Sequence, residues 1–198
     1  MAKQIIDLGT TPNDGTGTPL RDGGTFINEN FTELYNTAGW GFYVHDQLTP
    51  STQVITTTST PLIIDGGGLT TSTAYLPYEI RGTGTQLWDT ATNKIVPIGI
   101  GDGYTLRIDL QITAKTASPT ELTLDLDISG LGTPTTVIVE RIIGTGKAPP
   151  YTVSVGFPIF TLSTFKTNGG QLFLRTDSGT VTLTKRQISI HRISNGQI

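Results

Sequence analysis

The feature that most limits what this chain can become is a period of two. From residue 104 to 113, Tyr104, Leu106, Ile108, Leu110 and Ile112 alternate with Thr105, Arg107, Asp109, Gln111 and Thr113. Successive side chains of a strand point to opposite faces, so this run predicts a strand with one buried face and one wet face. Leu122, Leu124, Leu126 and Ile128 repeat the pattern, which sets Thr123, Asp125 and Asp127 on the wet side. The connection between them, residues 115–120 with Ser118-Pro119, has the length of a hairpin.

Shorter candidates surround this pair. Residues 53–58, 62–65, 78–81, 86–89 and 94–98 read as strands punctuated by Gly66-Gly67-Gly68, Gly82-Thr83-Gly84 and the turn from Gly99 to Gly103. Residues 136–143 are apolar on both parities, with Val137 and Val139 on one side and Ile138 and Ile142 on the other. Such a strand is expected to be covered on both faces, and in a two-sheet domain a neighbouring subunit could supply the second cover. Residues 151–162 carry Val153, Val155, Phe157 and Ile159, and Pro158 assigns this strand to an edge or a bulge. Residues 172–176 and 180–184 are joined by the tight-turn sequence Asp177-Ser178-Gly179, and 187–193 close the series. Roughly ten short strands with turn signals every 8 to 12 residues is the spacing of a β-sandwich or barrel rather than of βαβ units. The expected fold is therefore mainly β, an antiparallel jelly-roll or β-sandwich head. The pattern of the C-terminal half resembles the compact jelly-roll heads of tumour-necrosis-factor-like and complement-C1q-like proteins, and that resemblance implies a trimer.

The N-terminal segment follows another rule. Thr18 can cap a helix through its hydroxyl oxygen, and Pro19 suits the first helical position because a missing N–H is harmless there. Leu20, Ile27 and Leu34 recur every seven residues, with Phe31 four after Ile27, so four large apolar groups share one stripe of a helix of roughly 17 residues. Gly23-Gly24 oppose the helix by about 1 kcal/mol each, which predicts a late start near Thr25.

The run Asp7-Leu8-Gly9-Thr10-Thr11-Pro12-Asn13-Asp14-Gly15-Thr16-Gly17, then Pro19-Leu20-Arg21, Ile27-Asn28 and Asn30-Phe31-Thr32-Glu33-Leu34-Tyr35, resembles the N-terminal motif of tailed-bacteriophage virion proteins, tail-fibre and other structural proteins among them. It departs from that motif at Thr18, where an acidic residue is usual, and at Gly23-Gly24, where an Ala-Phe pair is usual. The resemblance implies a structural role in the particle, with the N-terminus as the attaching part. Expected attachment and oligomer contacts are Ile5, Ile6, Leu8, Leu20, Ile27, Phe31, Leu34, Tyr35 and Trp40. Trp40, Phe42 and Tyr43 lie in a glycine-interleaved connector, expected either to cap the following core or to touch another subunit. Two units follow: residues 1–45 as arm, helix and connector, and residues 46–198 as the head.

Composition narrows the chemistry. Net charge is -3 with 15% charged residues, so neither nucleic acid nor an anionic membrane is an expected partner. Cysteine is absent, which leaves no disulfide framework and no thiolate metal site. Met1-Ala2-Lys3-Gln4 leads into no apolar run, so no secretory signal is expected, and no stretch approaches the ~18 apolar residues of a membrane span. His45 and His191 are the two histidines, the side-chain type suited to acid–base work, and neither has metal-ligand spacing or a nucleophile motif beside it. Asp125 and Asp127, about 7 Å apart by strand rise, read as a solvated face rather than a calcium or acid–base pair. No catalytic, cofactor or metal site is expected.

These readings converge on a non-enzymatic protein displayed on a phage particle. An anchor followed directly by a head of about 150 residues makes a short projection, since a fibre reaching the host usually needs a long repeated shaft. That favours a trimeric knob, as capsid decoration or cement protein or head fibre. The competing location is the tail, as a tail-fibre or baseplate receptor-binding protein with a host surface glycan as candidate ligand. Expected partners are two further copies of the chain and other virion proteins of capsid or tail.

Overall fold

The computed structural model describes residues 5–8, 10–11, 15–36, 38–45, 51–65, 73–117 and 119–196, with the backbone alone for 32–36. In chain order these form helix α1 (Leu20–Asn36), strands β1 (Gly39–Val44), β2 (Gln53–Ile55) and β3 (Thr60–Pro61), two 3-10 turns (Thr73–Tyr75 and Tyr78–Ile80), strands β4 (Trp88–Asp89), β5 (Lys94–Ile95), β6 (Gly103–Lys115), β7 (Glu121–Asp127), β8 (Val137–Gly144) and β9 (Tyr151–Phe160), helix α2 (Ser163–Asn168), and strands β10 (Gly170–Thr176) and β11 (Val181–Ser194).

The strands make two antiparallel sheets. Sheet A runs β1-β11-β6-β9, with β2 also on β11; sheet B runs β4-β5-β10-β7-β8, with β3 also on β10. The alternating strand read from sequence is β6, and Tyr104, Leu106, Ile108, Leu110 and Ile112 are fully buried as its inner face. Facing them are Leu122, Leu124 and Leu126 of β7 and Leu172 and Leu174 of β10, all in one core with Val181, Leu183, Ile188 and Ile190 of β11. This is the antiparallel jelly-roll sandwich that the strand spacing predicts. Pro158 sits in β9, an edge of sheet A, where its missing N–H deprives no neighbour.

The short connections resolve differently. Residues 115–120 link β6 of sheet A to β7 of sheet B, and 177–180 link β10 of sheet B to β11 of sheet A, so neither is a hairpin. The two crossings lie side by side. Thr180 N donates to Thr116 Oγ1 (3.0 Å), Thr116 N to Thr180 O (3.1 Å), and Thr120 N to the Asp177 carboxylate (3.1 Å). Gly179 turns with φ +57°, the left-handed conformation a tight turn requires.

Three further expectations are corrected. Residues 39–44, read as a connector, pair with β11 over six positions from Gly39↔Arg192 to Val44↔Gln187 and belong to sheet A. The two segments 180–184 and 187–193 are one continuous strand whose register with β6 shifts between Leu183 and Arg186. Residues 78–80 form a 3-10 turn rather than a strand. Strand β8 is an edge of sheet B, and in the single chain its Val137, Ile138 and Ile142 are exposed.

Candidate attachment and assembly surface

Helix α1 begins at Leu20 and passes through Gly23-Gly24, so the glycines do not delay it. Gly23 N donates to Pro19 O at 2.8 Å, closing the first turn. The arm explains the tolerance. Thr18 N donates to Asp7 O (2.8 Å) while Asp7 N donates to Thr18 Oγ1 (3.0 Å), laying the arm against the helix start. Ile6 then covers Gly23, its Cγ2 lying 3.7 Å from where a Cβ would stand. The Thr18 hydroxyl, expected to cap the first turn, thus receives the arm's N–H.

The described side chains of the stripe face outward. Leu20 is 94% exposed, and Ile5, Leu8, Ile27 and Phe31 are also exposed. Leu34 and Tyr35 lie in the helix, their side chains outside the description. Trp40 is in β1, and its ring stacks on two neighbours in the sandwich, with ring centroids 5.0 Å from Tyr75 and 6.2 Å from His191. The expected contact residues therefore fall into two groups, one on arm and helix and one at the start of sheet A.

Next to that start lies a buried charge network. Asp102, fully buried, accepts from Arg192 Nη2 (3.0 Å), Gly196 N (2.9 Å), Gly99 N (2.8 Å) and Tyr104 Oη (2.8 Å). Arg192 Nη1 reaches Glu79 at 2.9 Å and Nη2 reaches Asn195 at 2.7 Å. Burial, aided by the neighbouring Asp102, pushes the Tyr104 phenol well above its ordinary range. The network locks the segments around 79, 98–102 and 192–196 to one another. It was missed in the sequence because its members are about 90 residues apart, and no local pattern marks them.

Other polar groups are similarly engaged. Asp125 and Asp127, read as solvated, are buried. Asp125 pairs with Arg175, which also reaches Glu140 at 3.0 Å; burial, then the nearby Glu140, raise the Asp125 carboxyl against the pull of Arg175. Asp127 orders the loop after β7. Burial would raise its carboxyl, but donation from Ser129, Thr136 and Thr135 outweighs that and holds it below the usual range. His45 lies between Ser51 Oγ (Nε2, 2.7 Å) and Asp65 Oδ1 (Nδ1, 2.9 Å). The order is that of a hydrolase triad, yet His45 Nδ1 makes no aligned hydrogen bond to Asp65. The three segments are instead drawn together by buried Arg186, whose carbonyl accepts from His45 N (2.8 Å) and whose guanidinium donates to Ile63 O (2.8 Å) and Ser51 O (3.1 Å). This is a clamp on backbone carbonyls. An open depression around Asp89, Lys94 and Lys166 offers little to a ligand, because Lys166 Nζ already donates to Pro97 O at 2.8 Å. Among the described residues no cluster of three metal-ligating side chains occurs, and no helix is long and apolar enough to cross a membrane.

A family model described as bacteriophage T4 gp9/10-like protein, N-terminal, matches residues 3–169. The chain belongs to that family. It is thus a structural protein of a tailed phage, as the N-terminal motif implied. The baseplate wedge protein gp10 of Enterobacteria phage T4 is 56% identical over 39 residues, which make up 20% of this chain and 6% of that protein. The chain therefore spans only a small part of that relative's length. Among solved structures, an Eiger TNF from S. frugiperda is 10% identical over 82% of this chain and 96% of its own, with TM-score 0.47. The PRD1 vertex protein P5 is 8% identical over 80% of this chain and 99% of its own, with TM-score 0.42. The gp9/10-like match runs from the arm into β9 and beyond, through both the exposed helix and most of the sandwich.

Proposed function

We propose that this gp9/10-like chain is a non-enzymatic structural component of the phage tail, in or beside the baseplate. Its arm and α1 make the attachment and gather three copies, and its jelly roll projects from that base. The observation that carries the reading is the exposed apolar stripe of α1 on a chain whose sandwich has a filled core. A single such helix cannot bury its own stripe, so a partner must. The seven-residue recurrence of Leu20, Ile27 and Leu34 suits parallel copies of the same helix, continued by contact with another virion protein. The 39-residue likeness to a baseplate wedge protein supports the tail over the capsid decoration that chain length alone favours. Copy number separates the two locations. Quantified against known tail and capsid proteins in purified particles, a tail component is present in tens of copies or fewer. Stoichiometry in the hundreds, scaling with the capsid protein, overturns the tail location.

A further inference from the structure

The end of the sandwich where β1 begins carries a second apolar surface. Trp40 and Tyr75 stack there, and Ile100, Phe160, Leu162 and Ile193 are each half or more exposed. The register places several of these together. Gly103 pairs with Phe160 on one side and with Ser194 on the other. A Cβ on Gly103 would lie 3.3 Å from both Phe160 Cε1 and Ile193 Cγ1, so those two side chains flank the glycine across the outer face of sheet A. Trp40 pairs with His191, two residues before Ile193 on β11. None of these six side chains is charged, and Asp102, Arg192 and Glu79 of the adjoining network are paired with one another. Exposed large apolar groups gathered at one end of a sheet mark a binding surface rather than chance exposure.

We infer that this surface packs against a second copy of the chain, extending onto the sandwich the contact that α1 makes. The inference rests on the proposed self-assembly through α1. Its occupant follows from the chain path. Helix α1 ends at Asn36 and β1 starts at Gly39, so at most about 11 Å of chain separates the end of the helix from this end of sheet A. An axis that relates the helices of neighbouring copies must pass close to the sandwich end that joins them. Among the described residues, this apolar surface of the sandwich lies at that end. The exposed side chains of β8 lie on the edge of sheet B and have no such link to the helix.

The test compares four full-length variants with the wild type by sedimentation across nanomolar to micromolar concentration. Phe160→Asp and Ile193→Asp change side chains that already face solvent, and their melting curves should match the wild type. Each should weaken assembly at least tenfold. Ile142→Asp, an equally exposed change on β8, should leave assembly unaltered. Ile27→Asp breaks the helix stripe and should disperse the copies. If Phe160→Asp and Ile193→Asp assemble like wild type while Ile27→Asp does not, the helices alone hold the copies together and the inference is wrong, with the α1 reading intact. A loss caused equally by Ile142→Asp also overturns it, because the contact would then not be local to this end. A wild type that stays monomeric at every concentration overturns both.

Discussion

In the sandwich, Leu106, Leu124 and Leu174 have no exposed surface, whereas Leu20 on α1, the same side chain, is 94% exposed. One leucine moved from water into a packed interior is worth about 1.5–3 kcal/mol. The sandwich collects that stabilisation many times within one chain, and its buried charges find partners inside it. In the arm and helix Ile6 lies over Gly23, while Ile5, Leu8, Leu20, Ile27 and Phe31 are exposed. The difference separates a part that can fold alone from a part whose stability is realised only in contact with something else.

The sharpest way to break the comparison is to cut between the two parts. Removing residues 1–37 should leave a soluble protein with a cooperative melt near that of the full chain. Removing residues 1–45 also deletes β1, including buried Tyr43, whose Oη accepts from Leu87 N at 2.9 Å and donates to Gln86 at 3.1 Å, and buried Val44. That deletion should cost several kcal/mol. Equal melting of the two truncations would show β1 to be dispensable.

Arg192→Ala should destabilise the sandwich by about 3–5 kcal/mol, because Asp102 is left buried without its partner. Leu124→Ala should cost about 2–5 kcal/mol by opening a cavity. Leu20→Ala, by contrast, should shift the melt of the single chain by less than about 0.5 kcal/mol. Chemical denaturation of the three variants ranks them directly, and a Leu20→Ala loss as large as that of Leu124→Ala would erase the distinction.

A smaller effect concerns acid. The Asp109 carboxyl is raised by burial, but hydrogen bonds from Ser154, Gln187 and Arg107 more than offset this and hold it below the usual range, as the loop holds Asp127. A carboxyl depressed in the folded state contributes stability above its unfolded pKa of about 3.9, and that contribution is lost as pH falls through the folded value. Asp125, raised, works in the opposite direction, since protonation there favours the folded state. The melting temperature should therefore fall on acidification below about pH 4, less steeply in Asp127→Asn. An unchanged slope in that variant would remove Asp127 from the account.

The smallest predicted effect is a gain. A Cβ at Gly24 meets nothing within 4 Å in the single chain, so Gly24→Ala should stabilise α1 by about 0.5–1 kcal/mol. Helicity by circular dichroism checks it. If the variant gains helix yet assembles or attaches poorly, a partner surface lies directly on Gly24.

How far residues revealed their places depended on how local the cause was. Strands β6 and β7 were legible because inward and outward side chains alternate without exception. The crossings after β6 and β10 were read as hairpins because a turn sequence encodes a reversal and says nothing about which sheet receives the next strand. Strand β1 reads as a connector because Gly39 and Gly41 interleave its aromatic residues. In the fold they make room: a Cβ at Gly39 would stand 2.3 Å from Pro77 N, and one at Gly41 2.6 Å from the Tyr43 hydroxyl. Asp125 and Asp127 were placed in solvent by parity alone. Their burial depends on Arg175, some 50 residues away, and on the loop that folds over Asp127. On the helix the apolar stripe was legible, but its start was not, because the arm's support of Gly23 is a contact that helix propensity does not contain.

The central claim is that attachment belongs to the arm and helix while the sandwich stands by itself. Its most direct test is occupancy on purified particles that lack this protein, measured for wild type, for a chain without residues 1–17, and for Phe31→Ala. The account predicts that the deletion abolishes occupancy and Phe31→Ala weakens it, with the sandwich melting as in wild type. Particles decorated equally well by the truncated chain would mean that the sandwich makes the attachment, and would contradict the account.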